Sequence, residues 1–339
     1  MTSLPPPGPR DKPSPPGGER GQGEGGCSGR RNPSLPLDDR SCGPFRGPAL
    51  SPHGGEGETE SNAGCVCGHA EIGFARRDGT TRLCHLFERD PLRVLFPLPE
   101  LHEPPQAVIV TTSGGLVAGD RIDVRVELDD GAAAHVTASA AEKIYRSSGP
   151  TTEIYQTMSV GDGAKLELLP PETILFDGAR LRRTIMIDLA PTADFLGGGI
   201  VVFGRRARGE RFTRGLLHEV WEVRRAGRLI WGDALHLDSD MTAIIDNPAC
   251  FDGAAAFATL ILVPAGRDLL QFIDAARAVQ MGAAAPALRA GVTAVGGVLV
   301  ARWLAKDEMM LRRAYADVAG HLRATALGLP RHMPRLWHV

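Results

Sequence analysis

The chain has 339 residues, 43% hydrophobic and 5% aromatic, with 38 Lys and Arg against 40 Asp and Glu for a formal charge of −2. So balanced a charge supplies no field to gather a polynucleotide or an anionic lipid surface, and neither nucleic acid nor membrane is expected as a partner. The longest apolar run, Ala254 to Val263, is far short of a membrane span, and the beginning of the chain has Pro, Gly and Arg where a secretion signal needs an apolar core, so a cytoplasmic protein is expected.

Residues 1–64 hold 26 Pro and Gly and a single Phe, too little apolar surface to offset the entropy of ordering them, and this leader is expected to be disordered. Residues 65–339 contain no second break in composition and are expected to form one domain. The six cysteines (27, 42, 65, 67, 84 and 250) are scattered, which is not the spacing of a disulfide framework. Cys65, Cys67 and His69, with Cys84 and His85 further on, could hold a soft metal, but Cys-x-Cys is not the usual zinc spacing, so incidental thiols at a domain edge are the expectation.

Short edge strands are expected from Ile72 to Val94, with Pro91, Pro97, Pro99, Pro104 and Pro105 chopping the following segment into extended pieces. Ala107–Val110 is an apolar run emptying into Gly114-Gly115, the pattern of a buried strand ending in a tight loop with positive φ at Gly114, Gly115 or Gly119. The loop lacks the Gly-Lys-Ser/Thr ending of a nucleotide-binding loop and leads into a strand instead of a helix.

The chain then repeats itself. Asp130-Gly131-Ala132 returns 32 residues later as Asp162-Gly163-Ala164, each after an alternating strand pattern, and a looser third unit begins at Leu189. Such repeats stack to share a core that no unit could bury alone, so a mainly β, β-helix-like body is expected. Each unit closes on a Glu-led segment, Glu142-Lys143-Ile144-Tyr145-Arg146 and Glu172-Thr173-Ile174-Leu175-Phe176-Asp177, so stacking is expected to align Glu142 and Glu172 along one edge or tunnel. Further on, Leu217–Val223 and Leu229–Leu237 read as a hairpin about Arg225-Ala226-Gly227-Arg228, and helical spacing marks about two α-helices, Asp268–Met281 and Asp307 to about Leu327.

No Gly-x-Ser-x-Gly or His-Glu-x-x-His occurs, His135 reads as a solvated strand residue, and the chain is not expected to be an enzyme. Asp120, Glu142, Glu172, Asp177 and Glu210 all stand at strand ends or turns near Gly, where carboxylates are either weak ligands for a borderline divalent ion or caps paired with Arg146, Arg180 and Arg205. The cluster Arg205, Arg206, Arg208, Arg211 and Arg214 reads as a solvated strand end, or as a rim that docks an acidic partner.

Ser113-Gly-Gly-Leu-Val-Ala-Gly-Asp120, Glu142–Ser147, Leu169–Arg180, Phe203-Gly-Arg205 with Arg208-Gly-Glu210, and Pro334-Arg-Leu-Trp337 together resemble the UreD family of urease accessory proteins, called UreH in some systems. Ser113 and Ala118 depart from that pattern, where Pro and Gly are usual, so Ala118 is expected at negative φ. The resemblance implies a mostly β fold with two helices and a chaperone that binds apo-urease and, with UreF and the GTPase UreG, helps deliver nickel to the urease active site. Carried over by motif, Asp120, Glu142, Glu172, Asp177 and Glu210 would line a transient nickel path, with Lys143, Tyr145 and Arg180 in support. One alternative is a scaffold of the maturation complex that touches no metal. Another, a β-helix enzyme cleaving polysaccharide with paired carboxylates, is disfavoured by the low aromatic content and the absent export signal.

Overall fold

The structure, a computed structural model, describes residues 66–283 and 286–338; the leader expectation and Cys65 lie outside the described residues. Strands β1 (Cys67–Arg77) and β2 (Thr80–Arg89) form an antiparallel pair, followed by β3 (Leu92–Leu95) and β4 (Gln106–Thr111). From there the chain coils. Strands β5 (Arg121–Leu128), β6 (Ala133–Ala138) and β7 (Glu142–Ile144) make one coil, and β8 (Thr152–Val160), β9 (Lys165–Leu168) and β10 (Thr173–Leu175) make the next. In the third coil, β11 (Arg180–Leu189) is followed by β12 (Asp194–Phe203), which runs beside β9 with its first half and beside β10 with its last.

Corresponding strands lie parallel, β5 on β8 on β11 and β6 on β9 on β12, so the repeat is a short β-solenoid whose coils feed two facing sheets. Its corners explain the repeated Asp-Gly. Gly131 and Gly163 have φ of 67° and 66°, a conformation that costs a residue without a Cβ little. Asp162 N–H donates to Asp130 Oδ1 at 2.8 Å, and the Thr192 hydroxyl donates to Asp162 Oδ1 at 2.7 Å. Each corner therefore satisfies the one stacked on it, with Thr192 serving in the looser third unit. Inside the first sheet, Val126, Met158 and Ile187 are neighbours in register and buried, which is the shared core that the alternation predicts.

Strand β13 (Arg214–Arg225) joins β11 in parallel and turns back into β14 (Arg228–Asp240) through Ala226 and Gly227, whose φ values of 49° and 75° are those of a two-residue hairpin turn. After α1 (Met241–Asp246), β15 (Ala256–Val263) pairs antiparallel with β12 and ends the solenoid. Helix α2 (Leu270–Gly282), strands β16 (Leu288–Val295) and β17 (Val298–Ala305) and helix α3 (Glu308–Leu322) follow, with β17 between β15 and β16. The result has three layers: a seven-stranded sheet, a ten-stranded sheet, and the helices α2 and α3 over the outer side of the second. Leu311, Tyr315, Val318 and Leu322 of α3 pack on Leu260, Leu262 and Trp303, so the predicted stripe is a core face. Gly198 of β12 lies under it; a Cβ there would stand 2.2 Å from the Thr259 carbonyl oxygen and 2.7 Å from the Tyr315 hydroxyl.

The described residues depart from expectation in four places. Strands β1 and β2 run 11 and 10 residues, and β1 is internal to its sheet, parallel to β5 on one side and paired with β2 on the other. A third helix, α1, is present; at 6 residues it is too short for periodicity to reveal, although Asp240 caps it by accepting from Ala243 N–H at 3.0 Å. Helix α3 ends at Leu322, and Arg323–Leu327 widen into a π turn before Gly328. Finally, His135 is buried. It lies in register with Gln106 and Glu167 on the helix-facing side of the second sheet, where Arg323, 0% exposed, donates to Glu167 at 2.7 and 3.1 Å, to Glu103, and to the carbonyls of Pro330 and His332.

Candidate functional site

The Glu-led segments and Gly-rich loops gather at the end of the coils opposite the Asp-Gly corners. Gly114, Gly115 and Gly119 have φ of 75°, 154° and 84°, while Ala118 keeps a negative φ. Asp120 is buried beneath this loop and spends both oxygens on backbone, accepting from Val66 N–H at 3.0 Å and Val117 N–H at 2.9 Å. Tyr145 buttresses the same loop: its hydroxyl donates to the Gly114 carbonyl at 3.2 Å, and a Cβ on Gly115 would stand 2.7 Å from its ring. Lys143 is exposed, and only its carbonyl joins the loop, accepting from Leu116 N–H. Arg180 opens β11, and its Nε is buried without a hydrogen-bond partner among the described residues.

Glu142 and Glu172 are not aligned. Strand β7 lies on β10 with Glu142 opposite Thr173, and Glu142 N–H donates to the Glu172 carbonyl at 2.9 Å. That offset of one residue sends the two side chains to opposite faces, because strand side chains alternate. Glu172 points to the helical layer and pairs with Arg312 of α3 at 3.2 Å. Glu142 points between the sheets.

There it borders a chamber of about 70 Å³, whose polar lining comprises Thr111, Thr137, Glu142, Gln156, Thr173 and Arg183. At roughly 10–15 Å³ per water-sized probe, such a space holds a few small molecules or an ion with part of its hydration. The Thr111 hydroxyl donates to Glu142 at 2.8 Å. Burial raises the Glu142 carboxyl above its ordinary value, against the hydrogen bond from Thr111 and the more distant charge of Arg183. Arg183 is itself neutralised: its Nε donates to Glu219 at 2.7 Å, Nη1 to the Thr173 hydroxyl at 2.8 Å, and Trp221 Nε1–H donates to the other Glu219 oxygen at 3.0 Å. Among the described residues, Glu142 thus faces the chamber as a carboxylate without an arginine of its own.

Asp177 and Glu210 do come together. Asp177 N–H donates to Glu210 at 3.2 Å, and Glu210 is held by a two-pronged pair with Arg205, whose guanidinium lies 4.3 Å over the Phe176 ring. Asp177 Oδ1 accepts from Thr213 N–H at 2.8 Å, its hydroxyl at 2.7 Å and Arg214 N–H at 3.3 Å. Burial acts to raise Asp177, but these hydrogen bonds outweigh it and hold the carboxyl low; for Glu210 the Arg205 hydrogen bond is the largest influence and lowers it. Of the arginine cluster, Arg205 is thus paired, Arg211 pairs with Asp246, and Arg206 and Arg208 are exposed on a short turn.

Among the described residues, no three His, Cys, Asp or Glu side chains stand as a ready metal centre. The chamber residues Arg183 and Thr111, and Glu219 paired with Arg183, escape a reading by motif. A signal for two of them is present: Arg183 and Glu219 occupy inward positions in Leu181-x-Arg183-x-Ile185 and Leu217-x-Glu219-x-Trp221, where the alternation calls for apolar residues.

A family model described as "UreD urease accessory protein" matches residues 66–338. The "Urease accessory protein UreD" of Magnetococcus marinus is 41% identical over 278 residues, covering 81% of this chain and 94% of the relative. That of Methylobacterium sp. (strain 4-46) is 41% identical over 286 residues, covering 84% and 95%. That of Rhodopseudomonas palustris (strain BisA53) is 40% identical, covering 78% and 89%.

Proposed function

This chain belongs to the UreD family of urease accessory proteins, and on that premise we propose that it binds apo-urease and, together with UreF and UreG, passes nickel toward the urease active site by way of the chamber at Glu142. It acts as a cytoplasmic chaperone without catalysis of its own, and GTP hydrolysis belongs to UreG. The observation that carries the path is the placement of Glu142, a carboxylate turned into a polar cavity between two sheets and without an arginine of its own. A single carboxylate with hydroxyl neighbours attracts a divalent ion yet completes no coordination sphere, and weak, incomplete ligation lets an ion move on.

The remaining carboxylates of the expected path serve the frame. Asp120 is committed to backbone N–H groups, Glu172 to Arg312, Glu210 to Arg205, and Asp177 to the turn at Thr213. These engagements favour a second reading, in which the chain only bridges urease to its maturation partners and touches no metal. Co-purification of the chain with urease, UreF and UreG, with nickel counted in the assembly, separates the two. Nickel retained in proportion to this chain supports the path; a stable assembly whose nickel is wholly accounted for by UreG and urease leaves the scaffold.

A further inference from the structure

We infer that residues 95–101 are a docking element, taken by a protein partner in a groove lined with apolar and aromatic side chains and edged by a cation. Leu98 and Leu101 are 95% and 81% exposed, more than any other large apolar side chain among the described residues, and Leu95 is 54% exposed. A single exposed leucine is ordinary, but three within seven residues of one segment make a patch. Proline sets how they are presented. Pro97 and Pro99 have φ locked at about −65°, and each keeps the residue before it, Phe96 or Leu98, out of the helical region. Residues 96–99 are thereby confined to extended or polyproline II backbone, and 96–100 form no helix, strand or turn. Polyproline II has about three residues per turn, so Leu95 at the end of β3 and Leu98 leave on one side, about 9 Å apart.

Both ends of the segment are held. The Phe96 ring meets that of buried Phe74 edge-on at 6.3 Å. Beyond Leu101, Glu103 N–H closes a turn on the Glu100 carbonyl at 3.0 Å, with His102 in the left-handed region at φ 67°, and Arg323 grips the buried Glu103 carboxylate. A segment ordered in advance loses little entropy when a partner takes it.

Other occupants fit less well. Strand addition is closed: Thr112 N–H donates to the Pro91 carbonyl, which by alternation turns Val94 N–H to the outer edge of β3, and there Glu88 already accepts it. An anionic lipid surface is repelled, because residues 90–103 carry the carboxylates Asp90, Glu100 and Glu103 and a single arginine, Arg93, which is tied to Asp90 at 2.6 Å. A second copy meeting this one about a two-fold axis would set Glu100 against Glu100. A different protein, with a groove of the kind that reads polyproline II and a Lys or Arg at its edge for Glu100, suits both the shape and the charge. Glu100 is available to it, since its 3.4 Å contact with His332 is open to solvent on both sides.

The partner is sought within the assembly proposed above, so this inference rests on that reading. Biolayer interferometry of the full chain against purified apo-urease, UreF and UreG, each in turn, reads the affinities. Leu98→Glu with Leu101→Glu is expected to weaken binding of one of them at least about tenfold, since it would bury unpaired charge, and to leave the others within about twofold. Glu100→Lys is expected to weaken the same partner. Pro97→Ala with Pro99→Ala, which keeps the leucines but frees the backbone, is expected to weaken it by a smaller factor. Met281→Glu, at a side chain 72% exposed outside the segment, is expected to change nothing. Binding by the Leu98/Leu101 variant equal to that of wild type overturns the proposal and leaves the assembly standing. An equal loss in Met281→Glu overturns it too. A wild type that binds none of the three overturns the assembly, and this surface with it. Thermal melting establishes that each variant is folded, and Leu98→Glu alone carries the test should the double variant not fold.

Discussion

Arg323→Met removes a guanidinium with no exposed surface that donates to Glu167, to Glu103 and to two backbone carbonyls. Met fills much of the volume but leaves Glu167, 1% exposed, and Glu103, 8% exposed, with no arginine between them. Taking one partner from a buried ion pair costs about 3–5 kcal/mol, mainly because the remaining charge stays desolvated. For a domain of this size about 1 kcal/mol moves the melting temperature by about 2–4 °C, so thermal unfolding followed by circular dichroism at neutral pH should show a fall of roughly 6–20 °C. Adding Glu103→Gln and Glu167→Gln to Arg323→Met removes the stranded charges and should restore a large part of the loss. The pH dependence has a definite sign. Burial works to raise Glu167, but His135 and Arg323 outweigh it and hold the carboxyl below its ordinary 4.5, so its contribution is present above that value and lost as pH falls through the folded one. The gap between wild type and Arg323→Met should therefore narrow below pH 4.5. A variant melting within about 2 °C of wild type at neutral pH would refute the claim that this arginine neutralises the buried carboxylates.

Asp177→Ala should cost about 1–2 kcal/mol for the lost turn hydrogen bonds, while Asp177→Asn, which keeps an acceptor toward Thr213, should cost less and leave nickel delivery nearly normal. Because the Asp177 carboxyl is held low, the difference between wild type and Asp177→Ala should shrink on acidification; constant spacing of the two melting curves down to strongly acid pH would contradict the capping role. Tyr315→Phe should be neutral or stabilise by up to about 1 kcal/mol, since the hydroxyl is buried without a hydrogen-bond partner among the described residues, and a large fall in melting temperature would reveal a bond there. Gly198→Ala should destabilise by about 3 kcal/mol or more in chemical denaturation, because the obstacle at 2.2 Å is a backbone oxygen that has little freedom to retreat.

The solenoid was legible because its physics is local and repeated. Alternating apolar residues ending in Asp130-Gly131 and again in Asp162-Gly163 specify a strand, a corner and a stacking distance in the chain itself. The Ala226-Gly227 hairpin and the α2 and α3 stripes were legible for the same reason. The site was less so. Glu142 and Glu172 look equivalent in the sequence, yet a register offset of one residue, set by how β7 meets β10, places them on opposite faces. His135 sits on a strand that alternates like a solvated one, yet in the fold it is buried beside Glu167, which Arg323 in turn engages.

The central claim is that nickel passes Glu142, and the nickel content of urease matured with the Glu142→Gln chain tests it most directly. Gln keeps the size and can still accept from the Thr111 hydroxyl, but it removes the one charge that favours a divalent cation in the chamber. With Glu142→Gln folded and bound to UreF, UreG and urease as wild type is, nickel per urease active site is predicted to fall sharply, together with urease activity. Undiminished nickel loading by that intact complex would contradict the path.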